Sequence, residues 1–423
     1  MAKGVGKNVI YAQSGGVTSV INASAFGVIQ ALQVGKGLRA LYAGWDGING
    51  VLDENLIDLS QEAPETLEAL RYTPAGAFGS CRKKLQDLEK HQAEFMRIVQ
   101  VCEAHDVGTF LYNGGNDSMD TVAKLAIFAK KQGYPLRVIG IPKTIDNDLP
   151  ITDNSPGFGS VAKYNAVSMM EASLDTASMQ HDSTKVFVLE TMGRNAGWIA
   201  ASTGLAARSQ AEGPHLILLP EVRFKPNVFL QAVARSVSEH GFCAITVSEG
   251  LLNEDGEFVS EVGGKDAFGH TQLGGVGQYI QELIKRETKL KVHGAVLDYC
   301  QRSARHLASA TDVSQAIACG EHAVALADQG ISGAMVTIQR TSDKPYHWAL
   351  GHTEASNIAN QEKMLHPDMI REDGFHITQK FRDYCLPLIQ GEDLPPFIGG
   401  LPAYRPLKKV LVPKRMVPFT GGR

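Results

Sequence analysis

The sequence predicts an α/β fold of two mostly parallel sheets with helices on both faces, on three observations. A short apolar run, a glycine turn and an amphipathic segment follow one another three times, at residues 8–33, 109–133 and 185–197 onward. Strand-like and helix-like stretches then alternate to Gln339, as they do where helices cross over a parallel sheet. The 423 residues, 43% of them hydrophobic, are enough for two cores of ordinary domain size.

Composition removes several function classes. The 41 Lys plus Arg against 45 Asp plus Glu leave a formal charge of -4, so no global basic field draws the chain to nucleic acid or anionic lipid. Any phosphate site must be local, and neither nucleic acid nor membrane is expected as a partner. Cys81, Cys102, Cys243, Cys300, Cys319 and Cys385 lack C-x-x-C spacing, which argues against a zinc site or redox pair and for reduced thiols of a cytoplasmic protein. Residues 1–7 run into a strand with no signal-peptide core, and no apolar run reaches membrane-spanning length.

In chain order, residues 8–13 form a strand ending at Gly15 and Gly16, and Val20, Ile21, Ala25, Val28, Ile29 and Leu32 mark a helix over 17–33. Residues 41–50 give a strand and glycine-rich loop, and 77–82 a loop ending in Arg82; beside Lys83 and Lys84 this is by itself a solvated charge run. Phe110, Leu111 and Tyr112 lead to Gly114 and Gly115, and a helix begins at Asn116 or Asp117 and runs to Gly133. Such a turn directs backbone N–H groups and a helix dipole at one point, which suits a phosphate. Two such turns in one parallel sheet both open at its carboxyl edge, where ligands bind.

A strand at 137–141 then meets Pro142-Lys-Thr-Ile-Asp-Asn-Asp148. Two acids two residues apart at a strand end, beside a lysine, let one hold a cation while the other takes a proton. Residues 152–160 mark a crossing into a second domain. Beyond it come a helix over 162–179, a strand over 185–190, the turn Met192-Gly-Arg194, and strands at 215–219 and 242–247, the latter ending in Glu249. Helices from Asn227 and over 271–287, a strand from Val292 and the stretch Tyr299-Cys-Gln-Arg302 follow. A helix over 313–328 and a strand over 333–339 complete the alternation. The Pro-rich tail, basic near its end, is expected to be a packed extension or a subunit contact.

Ser14-Gly-Gly16, Gly114-Gly-Asn-Asp-Ser118, Pro142-Lys-Thr-Ile-Asp-Asn-Asp148, Met192-Gly-Arg194, Glu249 and Tyr299-Cys-Gln-Arg302 occur in order and at spacings that resemble the phosphofructokinase family, from about Asn8 to Gln339. The chain looks like the pyrophosphate-dependent branch. The resemblance implies two Rossmann-like domains with the active site between them. The larger, donor-binding one spans 1–155 plus about 304–390; the smaller, sugar-phosphate-binding one spans about 156–303 plus part of 391–423. It implies reversible, magnesium-dependent transfer of a phosphoryl group from pyrophosphate to the 1-hydroxyl of fructose 6-phosphate, in glycolysis and gluconeogenesis, by a homodimer or homotetramer.

By the same resemblance Asp146 is the base that takes the hydroxyl proton, and Thr144 and Ile145 position the acceptor. Met192, Gly193 and Arg194 line the sugar phosphate, with Arg194 offsetting charge on the transferring group. Glu249 accepts from sugar hydroxyls, and Tyr299 and Arg302 hold the 6-phosphate; an arginine fork suits that task. Gly15, Gly16, Arg82, Gly115, Asn116 and Ser118 bind the donor, and Asn116, Asp146 and Asp148 hold magnesium.

Donor choice follows from two positions. ATP-dependent relatives carry G-G-D-G-S and P-G-T-I-D, so Asp117 and Lys143 each replace a glycine. Asp117 opposes the α-phosphate of a nucleotide, and Lys143 adds a cation beside the bond being made. Three departures complicate the pattern. Asn116 stands for a metal-binding Asp, Lys185 for an arginine that reaches the 6-phosphate of a neighbouring subunit, and His293 or Lys291 for a second such arginine. They leave sedoheptulose 7-phosphate open as an acceptor. The rival readings are an ATP-dependent phosphofructokinase and a non-catalytic sugar-phosphate-binding regulator; the second does not predict a retained Asp146, Asp148 and Arg194. No G-x-G-x-x-G opens the first helix, which argues against a nicotinamide enzyme.

Overall fold

The computed structural model describes residues 7–34, 39–85, 87–265 and 271–421. The opening residues 1–6, read above as leading directly into the first strand, lie outside the described residues.

In chain order the strands are β1 (Asn8–Gln13), β2 (Leu41–Gly44), β3 (Leu56–Asp58), β4 (Val107–Gly114), β5 (Arg137–Pro142), β6 (Val186–Thr191), β7 (Leu216–Leu218) and β8 (Cys243–Ser248). They continue with a ribbon β9 (Glu261–Lys265) and β10 (Thr271–Leu273), then β11 (Val292–Val296), β12 (Ala334–Asp343) and β13 (Tyr346–Glu354), and a short hairpin β14 (Phe397–Ile398) and β15 (Leu401–Pro402). The larger sheet has the order β13-β12-β5-β4-β1-β2-β3, parallel except at its two edges. The smaller sheet, β11-β6-β8-β7, is parallel throughout. Two doubly covered, mostly parallel sheets are what the alternating pattern predicts.

Period-two alternation sorts the central strands onto two faces. Ile10, Ala12, Phe110, Tyr112 and Val138 pack with the helices Gln92–Ala104 and Asn116–Lys131. Val9, Tyr11, Leu111, Ile139 and Ile141 face the helices Ile21–Leu32 and Ala310–Asp328. Those two helices touch through glycines: a Cβ on Gly27 would lie 2.0 Å from the Ile317 carbonyl oxygen, and one on Gly320 2.0 Å from that of Ser24. In the smaller sheet Val186, Val188, Ile245 and Val247 pack with the helices Pro226–His240 and Val276–Thr288. Leu365, Ile377, Phe381 and Leu388 join Phe158, Trp198 and Ile217 in a further core.

Several boundaries differ from the sequence reading. The helix expected from Thr271 begins at Val276, because Gly274 and Gly275, the latter at φ 79°, separate the extended β10 from the apolar stripe Val276, Ile280, Leu283, Ile284. The strand expected to end at Gln339 runs to Asp343 and turns back as β13, whose alternating, half-exposed pattern the sequence reading passed over. A helix over Gln92–Ala104, for which the sequence motifs give no sign, packs Phe95, Ile98 and Val99 into the core of the larger sheet. The tail lies along the sheet edge: Leu411 bridges Ile57, and the backbone N–H groups of Arg415 and Met416 donate to buried Glu54 at 2.6 and 3.2 Å. Among the described residues no helix is long and apolar enough to cross a membrane.

Candidate active site

Because β1, β4 and β5 are parallel neighbours, their carboxyl ends open side by side. Register pairs Gln13 with Asn113 and Gly114 with Pro142. Ser14 N donates to the Asn113 carbonyl at 2.9 Å, and Lys143 N to that of Gly114 at 3.1 Å. The loop carrying Arg82 is tied to the same edge, since Gly15 N donates to the Cys81 carbonyl at 2.9 Å and Ser80 Oγ to that of Gly15 at 2.8 Å. Gly114 has no room for a side chain: a Cβ would sit 2.0 Å from Ser118 Oγ. Gly115 is the N-cap of the helix Asn116–Lys131 and, having no side chain, makes no cap hydrogen bond to its first turn, which favours an anion there.

Cations crowd this cradle. Lys143 Nζ donates to the Gly16 carbonyl at 2.5 Å. Burial pushes its pKa down to about 8, with Arg302 and Arg82 adding to the effect and Asp146 opposing it. A Cβ on Gly16 would lie 3.2 Å from Arg302 Nη1 and 3.9 Å from Arg82 Nη2, so both guanidinium groups flank the same turn. Asp117 does not cap its helix, nor does it present an unpaired carboxylate. Lys84 Nζ lies 2.8 Å from its Oδ1, so the charge read from the sequence as opposing a nucleotide is offset by a neighbour.

Asp146 and Asp148 stand on the turn after β5. Thr144 Oγ1 accepts from Asp146 N at 3.0 Å, and Asn147, held at φ 55°, fixes the turn by donating to Tyr384 OH at 2.8 Å. Burial raises the proton affinity of Asp146, while Lys143 and Arg194 lower it. Asp148 is pushed up to about 7 by burial and by the adjacent Asp146 and Glu362 carboxylates. Asn116 Nδ2 donates to Asp148 Oδ2 at 3.1 Å, and the buried Asn116 Oδ1 has no hydrogen-bond partner among the described residues. Among the described residues no three His, Cys, Asp or Glu side chains form a metal cluster. Two carboxylates and one amide oxygen nevertheless suit a hard divalent cation that keeps waters and phosphate oxygens.

The opposite wall comes from the smaller sheet. The turn after β6 carries Met192, Gly193 and Arg194, and Glu249 follows β8. Glu249 N donates to the Thr191 carbonyl at 2.9 Å, and Gly193 N to Glu249 Oε1 at 3.2 Å. Burial and nearby Asp146 push Glu249 up to about 7. Tyr299 is 60% exposed on the rim, and the Arg302 guanidinium lies 3.8 Å over its ring.

A cleft of about 640 Å³ collects these groups, a size suited to small phosphorylated molecules. Gly15, Gly16, Arg82, Gly115, Asn116, Asp117, Ser118, Lys143, Thr144, Ile145, Asp146, Asp148, Met192, Arg194, Glu249, Tyr299 and Arg302 all line it. Gly193 backs the wall through Glu249. Lys185 is not brought here: it precedes β6 at the other end of the sheet, and its ammonium donates to the Gln180 carbonyl. Lys291 immediately precedes β11 and His293 is its second residue, at that same end of the sheet. The sequence reading missed Lys84, Asn195, Asn360 and Glu362. Lys84 sat in a visible charge run; Asn360 and Glu362 come from a loop with no motif.

The model of the family described as phosphofructokinase matches residues 8–327. The chain belongs to the phosphofructokinase family. It is similar over nearly its whole length to known members: 54% identity over 417 residues, 97% of this chain and 99% of the relative, to the pyrophosphate--fructose 6-phosphate 1-phosphotransferase of Halomonas elongata. The enzyme of the same name from Methylococcus capsulatus is 53% identical over 97% of this chain and 98% of its own. The crystal structure of a pyrophosphate-dependent phosphofructokinase from Nitrosospira multiformis superposes with a TM-score of 0.90 at 51% identity, covering 98% of this chain and all of that one. In this phosphofructokinase the glycine turns, the acid turn after β5 and the Met192-Gly-Arg194 turn face one cleft, as the motifs imply.

Proposed function

We propose that the chain transfers a phosphoryl group reversibly from pyrophosphate to the 1-hydroxyl of fructose 6-phosphate, giving fructose 1,6-bisphosphate and phosphate. The observation that carries this reading is the donor end of the cleft, where Lys143 occupies the cradle and the Asp117–Lys84 ion pair lines the wall beside it. Relatives that share nearly the full length bear the same activity in their names.

In this reading the Gly16 and Gly115 N–H groups, Ser118 and Arg82 hold the donor, with Gly15 at φ 74° shaping the turn and Lys143 beside the reacting phosphoryl group. Met192, Gly193 and Glu249 orient the sugar, and Tyr299 and Arg302 hold its phosphate from the rim. Asp146 takes the proton of the 1-hydroxyl as that oxygen bonds to phosphorus; the bond to the bridging oxygen breaks and phosphate leaves. Arg194 faces the developing charge. Little covalent work falls to the protein, so positioning and charge stabilisation dominate. Magnesium, held by Asp148, Asp146 and Asn116 Oδ1, supplies charge neutralisation on the donor when bound. The exposed edge strand β11, with Val296 59% exposed, and the remote Lys185 support a homodimer or homotetramer in which a second copy meets that edge.

The test is fructose 1,6-bisphosphate formation by purified protein with magnesium, fructose 6-phosphate and either pyrophosphate or ATP. Activity with pyrophosphate alone, abolished in Asp146→Asn, supports the reading. Turnover with ATP alone overturns the donor assignment, and sugar binding without turnover points to the regulator.

A further inference from the structure

The family model ends at residue 327, yet Asn360 and Glu362, in the segment 360–365, line the cleft. This short segment touches both walls. Toward the acid turn, Lys363 N donates to the Asp148 carbonyl at 2.7 Å, and Lys363 Nζ to the carbonyls of Thr152 and Asp153 at 3.2 and 2.8 Å. Toward the arginine turn, Asn195 Nδ2 donates to Glu362 Oε1 at 2.7 Å and Trp198 Nε1 to the Lys363 carbonyl at 2.8 Å. Glu221 Oε1 accepts from both Leu365 N, at 3.1 Å, and Gly197 N, at 2.9 Å. All three contacts on that side fall within four residues of Arg194.

We infer that residues 360–365 brace the cleft and that Glu362 is a positioning residue, which holds the Arg194 turn against the acid turn through Asn195. The inference rests on the phosphoryl-transfer reading, since it explains how Arg194 from one sheet and Asp146 from the other come to face one phosphoryl group. The geometry separates two kinds of tie. The Lys363 and Glu221 bonds go largely to backbone and belong to the fold. The Glu362 to Asn195 bond joins two side chains on the cleft surface and is dispensable for folding. A glutamine would keep an oxygen acceptor for Asn195 without the charge.

Steady-state kinetics on Glu362→Ala, Asn195→Ala, the double variant and Glu362→Gln, with pyrophosphate and fructose 6-phosphate, tests this. Each alanine variant is expected to lower kcat about tenfold, the scale of one lost charge-assisted hydrogen bond. KM for either substrate should move less than about twofold, because the loss is confined to the transition state. The double variant should be no slower than the singles, and Glu362→Gln should recover most of the rate. Melting temperatures should stay at the wild-type value. Additive losses, a fall confined to KM, a lowered melting temperature without rescue by glutamine, or wild-type kcat in Glu362→Ala would overturn the positioning role. Inactivity of the wild-type protein in the same assay would sink the phosphoryl-transfer reading itself, and this role with it.

Discussion

Replacing Lys143 by Met keeps most of the side chain's volume and removes its charge. The ammonium lies 2.5 Å from the Gly16 carbonyl, buried, and couples electrostatically to Asp146, Arg302 and Arg82. A phosphoryl oxygen in the adjacent cradle would lie roughly 5 Å or less from it, and at an effective dielectric of about 20 a unit charge there is worth about 3 kcal/mol. That predicts a fall in kcat of about 10²- to 10³-fold, the range found when one preorganised donor to a transition-state oxygen is lost. The pH dependence gives a second reading. With a pKa lowered to about 8, Lys143 carries its charge below that pH and loses it above, so wild-type kcat/KM with pyrophosphate should decline as pH rises through about 8. Lys143→Met should lack that alkaline limb. Initial rates of both proteins from pH 6.5 to 9.5, with melting temperatures to show that the variant folds, make the comparison. A Lys143→Met enzyme with more than about a third of the wild-type rate, or with the alkaline limb intact, would refute the reasoning.

Three further predictions concern other parts of the molecule. Asp117→Gly removes the ion pair with Lys84 and a side chain from the cleft wall, so turnover with ATP should rise at least about tenfold while turnover with pyrophosphate falls; unchanged donor preference would show that the pair does not gate the donor. Asn116→Asp should lower the magnesium concentration for half-maximal rate several-fold by adding an ionised ligand beside Asp148, and a rise instead would place the metal elsewhere. His215 and His376 are pushed down to about 4, first by burial, then by His240 and Arg371 respectively. The unfolded chain takes up these protons near pH 6.5 and the folded one only near 4. Their contribution is therefore complete above pH 6.5 and lost as pH falls toward 4, at most about 3 kcal/mol each. Melting temperature should drop between pH 7 and 5, and less steeply in His376→Gln; equal slopes would contradict this.

Much of the site was legible because its parts sit where the chain changes conformation. Gly114 and Gly115, Asp146 and Asp148, and Gly193 mark the ends of strands, and a strand end in a parallel sheet has one place to be, the carboxyl edge. The helix Asn116–Lys131 and its glycine cap could be read to within a residue or two from spacing and turn residues. Illegible were the contacts between segments far apart in sequence. Nothing in the run Arg82-Lys-Lys84 says which cation meets Asp117, and the structure chooses Lys84. Asp117 read alone was a repulsive carboxylate, and only its partner makes it half of an ion pair.

By itself, then, the sequence determined the sheet-and-helix alternation, the glycine turns at strand ends, and the charged residue types on them, because local propensity and period are written residue by residue. Tertiary structure alone decided that β5, β4 and β1 are neighbours, that Asn116 turns one amide end to Asp148, and that residues 360–365 close on Arg194's turn. The physical reason is range. Helix spacing and glycine turns act over a few residues, whereas hydrogen bonds and Coulomb forces act through space between groups that only the packing of two sheets brings together.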